Sequence, residues 1–238
     1  MSDLINEFVL WEPLKITTVV MFIIVIVLLP FSGFWSVIML FAIVCLWSRV
    51  PCLLSTFTKD FEVVDFFVVM LAIHVGGIFG GIFGILLMLF SRIFGPQEWW
   101  LYTVKDGISI MVCGFLTPLF YFVTGGSAIN TIYLFTIVRY ALYILLTVFL
   151  EPDYLGLELS LCAIGALEAY LFNTFIMNTF EEHLSKLFIG GVHFSFGLFA
   201  ITLGLIVLFF SIGRLARRLE NYLTPEEKPQ DEFHGLIF

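Results

Sequence analysis

The sequence predicts an all-α fold, a polytopic integral membrane helical bundle of about six to eight transmembrane or re-entrant helices. Three observations carry that expectation. Of the 238 residues, 61% are apolar and 13% charged, against about 45–50% and about 25% in a soluble domain, so a soluble fold is excluded. The mean hydropathy of +1.06 comes from bulky side chains, 29 of them Phe, rather than from an alanine-rich repeat. The apolar residues also fall in long runs. About 20 helical residues cross a hydrocarbon core about 30 Å thick, which leaves little chain for a soluble domain.

Residues 3–13 place Leu4, Ile5, Phe8 and Trp11 near one helical face, which suits a short helix in the bilayer interface ended by Pro13. The stretch 16–47 would be about 48 Å long as one helix, too long for one crossing. Pro30-Phe31-Ser32-Gly33 breaks it into 16–29 and 33–47. Stretch 61–95 is broken in the same way by glycines at 76, 77, 80, 81 and 84, into 61–75 and 77–94. These four segments are short for crossings, so each pair reads as a tilted hairpin or as a re-entrant loop. Four longer segments follow, at 107–123, 130–150, 157–179 and 187–213, and Pro118 is expected to kink the first. The chain thus divides into an interfacial segment 1–14, one transmembrane bundle 15–213, and a juxtamembrane basic helix with a flexible acidic tail over 214–238.

The net charge of -8 leaves no basic patch for nucleic acid. Cys45, Cys52, Cys113 and Cys162 show neither metal-ligand nor disulfide-framework spacing. Asp3 and Glu7 stand where a signal peptide carries basic residues, so the first apolar run reads as a retained anchor. With the N-terminus inside, Lys15, Arg49, Lys59, Arg92, Lys105, Arg214, Arg217, Arg218 and Lys228 fall on the cytoplasmic side and Lys186 alone outside. This asymmetry predicts a multi-pass protein of the cell membrane with both termini cytoplasmic.

Candidate functional residues are the exceptions to the apolar pattern. Arg139 lies about 14 Å from the outer start of its helix, and Glu168 about 16 Å from the inner start of the next. Charges at that depth face the bundle interior, so an Arg139–Glu168 ion pair is expected, serving as a clamp or as a coupling or substrate-binding element. Thr136, Tyr143 and Thr147 share the Arg139 face. Toward the outer side lie His74, His193 and Asn173, which with Tyr143 and Thr136 make up a candidate solute site, while Asp65 and Asp106 lie toward the inner side. Gly76, Gly80 and Gly84 form a GxxxG series for close helix packing or for a backbone bordering a cavity. A second stripe runs through Gly190, His193, Gly197, Ala200, Gly204 and Ser211. Arg214, Arg217 and Arg218 are placed to meet lipid phosphates. No catalytic motif, cofactor site or metal site is recognised, and Glu181-Glu182-His183 reads as a solvated outer turn.

Several short helices, then the glycine steps Gly76-Gly77-Ile78-Phe79-Gly80-Gly81-Ile82-Phe83-Gly84, then spanning helices, give a pattern over residues 61–211. It resembles the substrate-capture (S) subunits of energy-coupling-factor vitamin transporters and the structurally similar MreD rod-shape proteins. The chain departs from those families in its helix number and in lacking a Gly-Pro at this step. The resemblance implies a non-enzymatic subunit that binds a small solute from outside and works with a separate energising module, and it carries no ligand residues over. The expected function is therefore a solute-binding or transporter-like subunit with the bilayer, other membrane subunits and a small solute as partners. The alternatives are a membrane scaffold or assembly protein and, third, a lipid-modifying enzyme.

Overall fold

A computed structural model describes residues 12–51, 63–93, 100–189 and 196–223. The expected interfacial segment before residue 12 and the tail after residue 223 lie outside the described residues. Among the described residues the fold is all-helical, with eight α-helices. They are α1 (Glu12–Leu28), α2 (Gly33–Ser48), α3 (Val64–His74), α4 (Gly77–Ile93), α5 (Trp100–Val123), α6 (Ala128–Leu150), α7 (Leu155–Ile189) and α8 (Phe196–Leu223), with a 3-10 turn at Pro152–Tyr154 between α6 and α7.

Each reversal has a local cause. Between α1 and α2, Pro30 ends the first helix and Ser32 caps the second, its Oγ accepting from the Trp35 N–H at 3.5 Å. The hairpin is antiparallel: Ser36 Oγ donates to the Val25 carbonyl at 3.3 Å and Trp47 Nε1 to Thr18 Oγ1 at 2.9 Å. Gly76, with φ 132°, breaks α3 from α4 in a conformation that side-chained residues rarely adopt. Gly125 and Gly126, with φ 70° and 81°, turn α5 into α6, which Ser127 caps through the Asn130 N–H at 3.3 Å. Alternating helices thus bring Arg49, Lys105, Glu151 and the Arg214 turn of α8 to one end of the bundle, here the basic end. The turns at 29–32, 75–76 and 124–127 lie at the other.

The centre of the bundle is α3. Its 11 residues rise only about 16 Å, too little to cross a bilayer. Every residue from Val64 to Ala72 is buried, and α4, α5, α6 and α7 all pack on it. A helix that is apolar all round has no face to give to water, so it belongs inside. By length and composition α5, α6, α7 and α8 can each cross a membrane. Ile16, Val19 and Ile23 of α1, Ile137 of α6, Ile164 of α7 and Val207 of α8 turn outward, a surface that suits lipid rather than water. The chain is an integral membrane protein.

The glycines of α4 serve two neighbours at once. A Cβ on Gly80 would lie 2.6 Å from Ala72 Cβ, and one on Gly84 2.9 Å from Val68 Cγ2, so this stripe seats α3. Gly77 and Gly81 seat α5 instead: a Cβ on Gly77 would lie 2.6 Å from the Phe115 carbonyl oxygen, and one on Gly114 of α5 2.6 Å from Gly81 Cα. Gly76, expected to pack, makes the break through its φ of 132°, and a Cβ there would meet nothing within 4 Å. Of the α8 stripe, the described residues Gly197, Ala200, Gly204 and Ser211 are all exposed. Nothing lies within 4 Å of a Cβ on Gly204.

Three boundaries differ from expectation. Helix α5 begins at Trp100 rather than 107, because Lys105 and Asp106 find buried partners and do not end the helix. Helix α7 runs on to Ile189 rather than stopping at 179, carrying Glu181-Glu182-His183 in the helix, where an exposed Glu182–Lys186 pair at 2.6 Å spans one turn. Residues 187–189 belong to α7 rather than to α8, which is described from Phe196, and Pro118 lies in the interior of α5.

Gly114→Ala should destabilise the protein by about 1–3 kcal/mol, since its clash is with backbone and no rotamer relieves it. Gly204→Ala should be neutral or stabilising. Unfolding of the purified variants in detergent micelles measures both.

Candidate functional site: two buried charge centres

Helix α6 carries Arg139, Tyr143 and Thr147 at four-residue steps, and its C-cap Glu151 follows four residues on, one polar stripe descending to the basic end. Arg139 lies eleven residues before Leu150, about 16 Å along the axis from the helix end. Two centres form along the stripe.

At the upper centre the guanidinium of Arg139 bridges two helices. Its Nη1 donates to Asp65 Oδ2 of α3 at 2.6 Å, and Nη2 and Nε donate to Asp106 Oδ1 of α5 at 2.7 and 3.2 Å. The side chains are 5% exposed for Arg139, 1% for Asp65 and 12% for Asp106. The Tyr140 ring adds a face 5.6 Å from the guanidinium carbon. Asp65 stands in the first turn of α3, where the helix dipole favours a carboxylate. The planar fork of Arg suits this bridging, which an ammonium could not copy.

At the lower centre Lys105 of α5 is fully buried. Its Nζ donates to Glu151 Oε2 at 2.7 Å, Glu158 Oε1 of α7 at 3.4 Å and Thr147 Oγ1 at 3.1 Å. The ring centroids of Tyr102 and Tyr143 both lie 4.7 Å from it. The Glu158 carboxylate also lies within electrostatic reach of both tyrosine hydroxyls.

The sequence pairs Arg139 with Glu168. In the structure the guanidinium donates to Asp65 and Asp106, two partners that this pairing did not include, with three of its five N–H groups, and Glu168 is half-buried on α7. Both aspartates come from elements whose register the sequence left open: the half-length α3 and the early start of α5. Of the expected solute site, Tyr143 belongs to the lower charge centre. Thr136 is buried and donates to the Ile132 carbonyl at 2.9 Å. His74 sits exposed at the end of α3, with its Nε2 3.4 Å from Ser185 Oγ. Asn173 is buried in α7 with no hydrogen-bond partner for either amide atom. His193 lies outside the described residues. An apolar crevice between α2, α3, α7 and α8, walled by Phe41, Phe66, Phe67, Ile176, Phe180 and Leu205, includes none of these polar groups. Arg214 and Arg218 are exposed on the last turns of α8, Arg214 over the Phe210 ring at 5.2 Å.

The sequence places Lys105 and Asp106 on the inner side without assigning either to a site, and Glu151 and Glu158 are not among its candidates. The signal was present in the Arg139–Tyr143–Thr147 face, whose next step is Glu151. Among the described residues no group of three or more His, Cys, Asp and Glu could hold a metal ion. No protein-family model, curated protein or solved structure matches the chain.

Removing one member of a desolvated ion cluster strands the others. Arg139→Leu should therefore destabilise by about 3–5 kcal/mol, and the triple change Arg139→Leu/Asp65→Leu/Asp106→Leu should recover most of that. Denaturant unfolding in micelles checks it; a single-variant loss below about 1 kcal/mol would show that water reaches the triad.

Proposed function

We propose that the chain is a transporter-like membrane subunit that binds a small charged solute and rearranges the α3–α4 hairpin around the Asp65–Arg139–Asp106 triad. One observation carries this reading: a half-length helix begins inside the bundle with a carboxylate in its first turn, held by an intramembrane arginine. Interrupted helices with charged termini at depth form solute and ion sites in transporters, where the broken backbone is buried in protein or lines a cavity. An apolar bundle gains little stability from a buried ion cluster over apolar residues of similar volume, which favours a working role for the charges. The resemblance to solute-capture subunits agrees with this reading, and the excess of cations at the basic end supports placing that end in the cytoplasm.

A second reading, assembly with another membrane subunit, draws on α8. Its Gly197, Ala200 and Gly204 face outward with room above Gly204, a surface that a partner helix could approach closely.

Proteoliposomes offered a panel of labelled amino acids, amines and water-soluble vitamins test transport. Saturable uptake is expected for at least one class, falling at least about ten-fold in Asp106→Asn, which keeps shape and loses charge. Equal, unsaturable leak in both proteins would reject transport and leave assembly.

A further inference from the structure

The lower centre has the chemistry of an ammonium receptor. An ammonium offers three N–H donors, and Lys105 Nζ finds three acceptors: Glu151 Oε2, Glu158 Oε1 and Thr147 Oγ1. Tyr102 and Tyr143 present their rings at equal 4.7 Å distances, the arrangement by which aromatic cages hold desolvated ammonium groups. We propose that Tyr102, Tyr143, Thr147, Glu151 and Glu158 form a binding site for a small organic primary amine, and that Lys105 is its resident, displaceable occupant.

Three further observations support displacement rather than a fixed clamp. The site holds two carboxylates against one cation, so among the described residues it keeps a formal charge of -1 with Lys105 in place. That surplus attracts a second cation more strongly than a neutral cage would. The centre also opens to the surface, since the Glu151 side chain is 11% exposed while that of Lys105 is fully buried. It lies where α6 ends, beside Tyr154, which is 52% exposed. Finally, the occupant sits on a flexible four-carbon stem, so Lys105 can leave by rotating side-chain bonds while α5 stays in place. A tethered ammonium competes at high effective concentration, and a free amine therefore binds the wild type with an affinity reduced by the fraction of time the cage is vacated.

This inference rests on the transporter-like reading and names amines as its substrate class. The test uses the full chain in lipid nanodiscs, with methylammonium as the probe and sodium and tetramethylammonium at equal ionic strength as controls. Lys105→Ala should bind methylammonium at least about ten-fold more tightly than the wild type, because the tethered competitor is gone. Tetramethylammonium, which has no N–H to give the three acceptors, should bind more weakly, and Lys105→Ala/Glu158→Gln should lose methylammonium binding. If Lys105→Ala folds only when purified in methylammonium, the site is supported. If it binds methylammonium no better than sodium, or if Lys105→Ala and Lys105→Gln both fail to fold whatever amine is added, the site is rejected. Uptake of labelled methylammonium by wild-type proteoliposomes separates this from the transport reading. Amine binding without methylammonium uptake keeps the site and rejects amines as the transported class; uptake of another solute by a protein whose Lys105→Ala variant ignores amines keeps transport and rejects the site.

Discussion

The guanidinium of Arg139 sets the register of the bundle. Lipid tails are as apolar as Leu and Phe side chains, so sliding one helix along another changes little in hydrophobic terms. A charge at depth is different. Once Arg139 on α6 has met Asp65 on α3 and Asp106 on α5, any slide of a helix step separates charges that have no water to replace the partner. The consequence is largest for α3, which has only 11 residues and is otherwise apolar all round. Packing could seat it at several heights along α5 and α6, and Asp65 selects one.

Register alone does not bring helices close enough for such short contacts. The interleaved glycines of α4 do that, with Gly80 and Gly84 admitting α3 and Gly77 and Gly81 admitting α5. Helix α4 is therefore a thin wedge between the two aspartate-bearing helices. Small residues lower the separation, and the charges fix the height. Neither substitutes for the other: tight packing without the triad leaves the height open, and the triad without tight packing lets lipid or water between the helices.

The sequence disclosed the class of the protein, the breaks at Pro30 and Gly76 and the depth of Arg139, because each depends on local properties: apolar content, backbone freedom and distance along one helix. It did not disclose that Arg139 touches Asp65 and Asp106. Asp106 falls one residue before the helix start that the apolar run suggested, and Asp65 opens a helix whose depth depends on how the hairpin folds back. Both are tertiary facts. The glycine stripes teach the same limit. Those of α4 and α8 have similar spacing, yet one is filled by α3 and α5 and the other faces outward, since a run of small residues looks alike whether its neighbour is protein or lipid. The Lys105 centre was partly legible, because the polar face of α6 extends by one regular step to Glu151, but its completion by Tyr102, Lys105 and Glu158 needed the packing of three helices.

The two charge centres are not independent, since Lys105 and Asp106 are adjacent on α5, about 1.5 Å apart along the axis and about 100° apart around it. Lys105 ties α5 to the α6–α7 junction, and Asp106 ties it to α6 and, through Arg139, to α3. On the proposed reading, an amine in the lower cage keeps its carboxylates satisfied while removing the first tie. The second remains, so α5 is freed from the α6–α7 end without being freed from the hairpin. Displacement of Lys105 would then loosen α5 from α7 and from the end of α6, while the triad still holds α3, α5 and α6 at one height. Coupling of this kind requires only that one helix carry both ties, and the pair of oppositely charged neighbours on α5 meets that requirement.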